Sequence, residues 1–185
     1  MDHVKLAIDM YQSGNEYIVG VDLGGNPTKN DFREYEVAFQ LARNAGLKVT
    51  IHCGEVPCGE SANDEDEKMA KAFQEAEAVL RFNPDRLGHA LLLPDSLQSL
   101  LDSSHIAIET CPTSNVMTLE LARSFHGNLI EGLKCHPRLG RWLEYYPISV
   151  STDDSGVFHT DPTKELLLLA IAYNLNEDSL KKIVV

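Results

Sequence analysis

Short apolar, β-like segments of this chain end in residues that could bind a metal ion or move a proton. The segment at 49–51 is followed by His52 and Glu55, the segment at 86–88 by His89, and the segment at 148–151 by Asp153 and Asp154. A histidine and a carboxylate are natural zinc ligands, and a second histidine could orient or deprotonate a water whose pKa the metal lowers towards ~7. Residue types and spacing alone leave two interpretations open, a metal-dependent hydrolase and a set of scattered structural polar residues.

Helix-like stretches separate these segments, and this alternation is typical of a parallel α/β fold. Strands are predicted at 17–23, 47–53, 86–90, 106–111 and 148–153. Helices are predicted at 2–12, after Asp31, and at 65–81, 94–102, 118–124, 162–173 and 176–183. In such folds the carboxyl ends of the strands meet on one face, so the ionisable residues are expected to converge there.

Length and composition indicate a single globular domain spanning residues 1–185. Hydrophobic residues make up 43% and charged residues 24% of the chain, with no apolar stretch long enough for a membrane span and no signal-peptide pattern. We therefore predict a cytoplasmic location. The formal net charge of −12 argues against a nucleic-acid partner, but it is compatible with a small anionic substrate. The four cysteines form no C-x-x-C pair, which favours thiols over a disulfide framework.

Five motifs resemble the adenosine deaminase family and occur in the family's order. They are a glycine-bearing loop after the strand at 21–23, H-x-G-E at 52–55, R-x-G-H at 86–89, C-P-x-S-N at 111–115 and T-D-D at 152–154. The segment at 155–158 is similar to the adenosine deaminase-like branch, which acts on 6-substituted AMP. The resemblance implies zinc-dependent hydrolytic deamination of an adenosine or AMP derivative, with a purine nucleoside or nucleotide as the small-molecule partner.

The resemblance also implies a role for each candidate residue. His52 and Asp153 would be zinc ligands. Glu55 would protonate the purine ring nitrogen beside the reacting carbon, and His89 would orient or deprotonate the attacking water.

Two further residues would contact the substrate by the same resemblance. Asp154 would hold the hydroxide or the ring, and the backbone of Gly25 would donate to another ring nitrogen. Each candidate also has a structural interpretation: a lone histidine is more often a hydrogen-bonded core residue, Asp154 could cap a loop, and Gly25 could serve a turn. The remaining histidines, including His136, are interpreted as structural or surface residues, and Cys111-Pro112 as the end of a strand.

One departure from the family pattern changes the expectation for the isolated chain. The family's first strand carries an H-x-H pair of zinc ligands, and this sequence contains no H-x-H. The family fold is a TIM (β/α)8 barrel of typically about 250 residues. The five β-units here therefore predict the carboxy-terminal portion of such a barrel, incomplete at the N-terminus. Because an open sheet has unpaired edges, we expect this portion by itself to be unstable or to self-associate, and to be catalytically weak at best.

Two other functions stay open at this point. The first is another metal-dependent hydrolase of the amidohydrolase type, against which Glu55 argues, since protonating a purine ring nitrogen is specific to the deaminases. The second is a truncated non-catalytic fragment or pseudoenzyme, which the missing H-x-H favours. A cytidine-type deaminase fits the sequence poorly, because its H-x-E and P-C-x-x-C motifs are absent.

Overall fold

A computed structural model describes residues 1–25, 31–55 and 65–183 of the chain. Within these ranges five strands occur: β1 (Gly20–Leu23), β2 (Lys48–Cys53), β3 (Arg86–His89), β4 (Ala107–Thr110) and β5 (Ile148–Val150). The α-helices that accompany them are α1 (Asp2–Gln12), α2 (Glu36–Asn44), α3 (Glu65–Phe82), α4 (Gln98–Ser104), α5 (Pro112–Thr118), α6 (Leu129–Lys134), α7 (Leu139–Tyr145), α8 (Ser155–Phe158), α9 (Pro162–Tyr173) and α10 (Glu177–Leu180). None of the helices in these ranges is both long and apolar enough to cross a membrane.

The strands form a parallel sheet whose order follows the chain, β1-β2-β3-β4-β5. β1 runs parallel to β2 with Gly20 opposite Lys48, and β4 runs parallel to β5 with Ile108 opposite Ile148. Because side chains alternate between the two faces of a strand, this register decides which residues are buried. The predicted parallel α/β class is confirmed.

The chain forms two compact units. The first contains Met1–Gly88 and Leu93–Ile106, and the second contains His89–Leu92 and Ala107–Val185. The boundary therefore passes through β3, between Gly88 and His89.

The first unit is built around α1, α2 and the strands β1 and β2. Val4 of α1 packs with Ala38 and Ala42 of α2 and with Leu47 in a buried apolar cluster. A short 3-10 helix at Phe32–Glu34 precedes α2, because the Asp31 side chain accepts a hydrogen bond from the Arg33 N–H at 3.0 Å. The same Arg33 guanidinium lowers the pKa of the Asp31 carboxyl. The helix predicted after Asp31 thus begins with a 3-10 turn.

The second unit has its own apolar core beneath β4 and β5. The largest of its fully buried apolar side chains are Leu91, Ile108, Leu133, Leu139, Trp142 and Leu169. Gly132 lets α6 approach α5, since a Cβ at this position would lie 2.7 Å from Val116 Cγ1. A larger residue would force these two helices apart.

The predicted helix at 118–124 was wrong. Helix α5 spans Pro112–Thr118, and only a 3-10 turn, Arg123–Phe125, follows before α6. Pro112 begins α5 as its first residue, where a proline needs no N–H, and does not simply end the preceding strand. Helices α6 and α7 were missed because six or seven residues give too little apolar periodicity.

We expect the core of the second unit to depend on Ile108, which is 0% exposed in β4. The Ile108→Ala substitution should lower the free energy of unfolding by about 2–5 kcal/mol, since it removes buried methyl groups and leaves a cavity. The matched control, Ile171→Ala, alters a side chain that is 52% exposed on α9 and should change the free energy by less than about 0.5 kcal/mol. Urea unfolding followed by circular dichroism measures both, and equal losses would contradict this assignment of the core.

Candidate functional site

In the second unit, three side chains that could ligate a metal lie together at or just beyond the carboxyl ends of β3, β4 and β5. The candidate ligand atoms of His89, Cys111 and Asp153 all lie within 4.8 Å of one another. His89 Nε2 is 4.0 Å from Asp153 Oδ2. His89 and Cys111 are buried, while the Asp153 side chain is 25% exposed. The structure therefore brings together two of the candidate residues, His89 and Asp153.

Both of these residues leave their strands in a left-handed backbone conformation. The φ angle is 59° at His89 and 56° at Asp153. This conformation costs a non-glycine residue about 1 kcal/mol or more and is uncommon outside functional and turn positions. The surrounding hydrogen bonds must therefore hold these two residues in place.

The first turn of α5 provides one of these hydrogen bonds. The Ser114 hydroxyl donates to Asp153 Oδ2 at 2.7 Å, and the Asp154 N–H donates to Asp153 Oδ1 at 2.9 Å. Both carboxylate oxygens of Asp153 are thus oriented by neighbours. Carboxylates that ligate metals are commonly held by hydrogen bonds of this kind.

The next residue of α5 contacts His89. Asn115 Nδ2 lies 3.0 Å from His89 Nδ1, and Asn115 Oδ1 lies 3.4 Å from Nε2 of His136. His136 is only 6% exposed, and this burial lowers its pKa from 6.5 to about 4. His136 is therefore a neutral imidazole at neutral pH.

Sequence reasoning did not assign roles to Ser114, Asn115 and His136. Ser114 and Asn115 stood within the motif at 111–115, and a pair of consecutive polar residues after a buried strand was the available signal. His136 was interpreted as structural or surface, and nothing local links it to Asn115, which lies 21 residues earlier.

In the first unit, His52 lies near the carboxyl end of β2 and is paired with a carboxylate. Its Nδ1 lies 3.0 Å from Asp22 Oδ1. Because a carboxylate only accepts hydrogen bonds, Nδ1 carries the proton and the lone pair of the neutral ring is on Nε2. A histidine that binds metal through one nitrogen typically donates its other N–H in this way.

Gly88 makes room for the His52 ring. A Cβ at Gly88 would lie 3.0 Å from His52 Cγ and Cδ2. A Cβ at Gly24 would lie 3.5 Å from His52 Nδ1, which is an ordinary contact. The glycine in the R-x-G-H motif is therefore required by close approach of this ring.

The other three candidates lie in loops at strand ends. Glu55 is half-buried, two residues after β2. Gly25 follows β1 with a φ angle of 114°, a conformation that favours glycine, and no heavy atom lies within 4 Å of an ideal Cβ there. Asp154 is exposed and precedes α8 as its N-cap residue. Asn26 and Pro27, which follow Gly25 in the sequence, lie outside the described residues.

In each unit taken by itself, one candidate residue offers a donor atom that a transition metal such as zinc accepts. His52 in the first unit presents a lone pair on Nε2, and Asp153 in the second unit presents an oriented carboxylate. Imidazole nitrogen and carboxylate oxygen are both common zinc ligands.

Comparisons with known proteins identify the family of this chain. The family model described as adenosine deaminase matches residues 4–185. N6-Methyl-AMP deaminase-L of Xenopus laevis is 33% identical over 175 residues, covering 93% of this chain and 44% of that protein. The N6-mAMP deaminase of Arabidopsis thaliana is 32% identical over 177 residues, covering 96% of this chain and 42% of that protein.

Solved structures agree in fold. The crystal structure of Arabidopsis N6-mAMP deaminase aligns with a TM-score of 0.75 at 30% identity, covering 97% of this chain and 46% of that one. Arabidopsis ADAL complexed with IMP aligns with a TM-score of 0.74 at 30% identity, covering 97% and 45%. The chain thus spans less than half the length of these relatives. The predicted fold class, the carboxy-terminal portion of a (β/α)8 barrel, is confirmed.

We expect acid to destabilise the folded chain through His136. Its pKa is about 4 when folded and near 6.5 when unfolded, so between these values the unfolded chain binds more protons. The free energy of unfolding should therefore fall, by up to about 3 kcal/mol, as the pH drops from about 6.5 to about 4. Urea unfolding across this pH range measures the change.

Two variants isolate the contribution of His136 from that of the carboxylates that also titrate in acid. His136→Gln should remove its share of the pH dependence, while His159→Gln, at an exposed position, should retain the full dependence. If the stability of His136→Gln varies with pH as strongly as that of the parent chain, His136 is not the titrating group.

Proposed function

The chain belongs to the adenosine deaminase family, and we propose that it forms part of a zinc-dependent hydrolase that removes the 6-amino or 6-alkylamino group of an AMP derivative. The observation that carries the proposal is the meeting of His89 and Asp153, whose Nε2 and Oδ2 atoms lie 4.0 Å apart. Two separate family motifs deliver these residues, and a buried hydrogen-bond network orients them.

The reaction is a hydrolysis at C6 of the purine. The oxygen of water bonds to C6, and the bond between C6 and the exocyclic nitrogen breaks. One proton ends on the ring nitrogen beside C6, and the other leaves with the amine, so the products are a 6-oxopurine nucleotide and an amine. Arabidopsis ADAL has been solved with IMP and with GMP, both 6-oxopurine monophosphates. These complexes support a nucleotide over a nucleoside as the ligand.

His52 and Asp153 would hold the zinc ion. When bound, zinc supplies the Lewis acidity that makes water a nucleophile near neutral pH. Glu55 would donate a proton to the ring nitrogen beside C6, which makes C6 more electrophilic. His89 would orient the attacking water.

Two loop residues would fix the purine. The Gly25 backbone N–H would donate to a second ring nitrogen, which the open space around this glycine supports. Asp154 would hold the attacking hydroxide or the purine ring, and its side chain is exposed just before α8.

The alternative to a deaminase is a protein that has the deaminase fold but does not catalyse the reaction. The proposed ligands in this chain are only His52 and Asp153, whereas catalytic zinc sites present three protein ligands. A non-catalytic protein that keeps the deaminase fold is therefore the second candidate. Self-association, a cytoplasmic location and the lack of a nucleic-acid partner stay predictions.

Zinc binding should depend on Asp153 and not on its neighbour. Asp153→Ala should weaken zinc affinity at least ~10-fold, because it removes a ligand, whereas Asp154→Ala should leave the affinity within about 2-fold. Equilibrium dialysis with elemental analysis measures both. Equal affinities in the two variants would remove Asp153 from the ligand set, and a parent chain that binds no zinc would favour the non-catalytic alternative.

Deamination should depend on Glu55. Glu55→Gln should lower kcat by about 10²–10⁴-fold, since the amide cannot supply the proton to the ring nitrogen. Glu16→Gln alters an exposed residue of the same unit and should leave kcat unchanged. Release of methylamine from N6-methyl-AMP, with adenosine as the comparison substrate, provides the assay. Full kcat in Glu55→Gln would exclude the proposed role.

A further inference from the structure

We propose that Asn115 and His136 are positioning residues that hold the neutral His89 ring with its proton on Nε2, the nitrogen that faces Asp153. The consequence of this tautomer for catalysis rests on the proposed function, but the tautomer itself does not. A series of hydrogen-bond donors and acceptors sets this tautomer, and it begins at the backbone of α7.

The series of hydrogen bonds begins with two backbone donors. The N–H groups of Arg138 and Leu139 lie 3.2 and 3.0 Å from His136 Nδ1. They belong to the start of α7, where backbone N–H groups have no partner within the helix. Since a backbone N–H only donates, Nδ1 of His136 must accept and carries no proton.

The proton of His136 is therefore on Nε2. His136 is neutral because burial lowers its pKa to about 4, and a neutral imidazole has one N–H. Nε2 faces Asn115 at 3.4 Å, so the atom of Asn115 on that side must be the acceptor, Oδ1. The amide of Asn115 thus has only one orientation that satisfies His136.

This orientation turns the amide nitrogen of Asn115 towards His89. Nδ2 lies 3.0 Å from His89 Nδ1, and an amide nitrogen can only donate. His89 Nδ1 is therefore an acceptor, which places the proton of the neutral ring on Nε2. Asn115 and His89 are each 1% exposed, so bulk water does not compete for these contacts.

The tautomer distinguishes two roles for His89. A histidine that ligates a metal through Nε2 needs its lone pair there, whereas one that orients water can donate from Nε2–H. His89 Nε2 is 4.0 Å from Asp153 Oδ2, so this nitrogen lies on the side of the carboxylate. The network thus favours His89 as a hydrogen-bond donor to the attacking water over His89 as a zinc ligand.

The direct test is the tautomer of His89 in the unmodified chain. Multiple-bond ¹H–¹⁵N NMR of the chain labelled with [¹⁵N]histidine, at mildly alkaline pH, identifies the protonated nitrogen of each ring. His89→Gln and His136→Gln assign the two spin systems. We expect a proton on Nε2 and a pyridine-type Nδ1 in both rings, and a proton on Nδ1 of His89 would overturn the proposal.

This measurement does not depend on activity. If the chain shows the expected tautomer but no deamination, the proposed function fails and the positioning network stands. If the chain is active and His89 carries its proton on Nδ1, the network fails and the proposed function stands.

Three variants test whether the two positioning residues cause the tautomer. Asn115→Asp presents acceptors to both histidines, so the proton of His89 should move from Nε2 to Nδ1. His136→Gln keeps a donor towards Asn115 and should preserve the tautomer. His136→Asn instead keeps the acceptor for the α7 backbone and loses the donor, so the His89 signal should show both tautomers.

The last two variants separate the network from a merely structural role of His136. If only the contact with α7 mattered, the His89 tautomer would change in His136→Gln and stay the same in His136→Asn. This is the opposite of the expected pattern, and it would overturn the role of His136. An unchanged His89 tautomer in Asn115→Asp would overturn the role of Asn115. Circular dichroism checks that each variant is folded, and the result for the unmodified chain holds whatever the variants do.

Discussion

The site in the second unit depends on one buried carboxylate, that of Glu165 in α9. Glu165 is 0% exposed, and it accepts hydrogen bonds from the Thr113 N–H at 3.0 Å and from the Thr160 hydroxyl. A carboxylate out of water is costly unless it is hydrogen-bonded, and the first N–H groups of a helix lack partners within that helix. At the start of α5 the Glu165 carboxylate accepts a hydrogen bond from an N–H that has no partner within the helix, so both groups are satisfied. The helix dipole also favours an acidic group at this position. This contact fixes where α5 begins.

The position of α5 decides what its first turn can reach. Ser114 donates to Asp153 and the next residue, Asn115, donates to His89, so two consecutive side chains orient two different candidate residues. Both are 1% exposed, and hydrogen bonds in such a low-dielectric setting are strong and slow to exchange with water. The left-handed backbone at His89 and Asp153 is stabilised by the same contacts. A small shift of one short helix would therefore disturb both residues together.

The sequence predicts the parts of this arrangement that depend on local pattern. Alternating apolar runs and helix-like stretches predict the parallel sheet, and the rule that strand ends converge predicts that His89 meets Asp153. The start of α5 was not predictable in the same way, because Pro112 suits both a strand end and the first residue of a helix. His136 was out of reach for another reason: its function depends on a tertiary contact with Asn115 across a stretch of short helices. Pairing of that kind leaves no periodic signal.

Two histidines lie at the carboxyl ends of strands, His52 in β2 and His89 in β3. They differ in the partner of Nδ1, and this difference separates their chemistry. The Asp22 carboxylate at 3.0 Å requires a proton on Nδ1 of His52 and so leaves the lone pair on Nε2, which suits a metal ligand. The amide nitrogen of Asn115 at 3.0 Å requires a lone pair on Nδ1 of His89 and so places the proton on Nε2, which suits a donor to water. Identical side chains at equivalent strand ends are thus assigned opposite tasks by one neighbouring group each. The residue type and the strand end indicate that a histidine can act in the site, but the partner of Nδ1 decides which of its two chemistries is available.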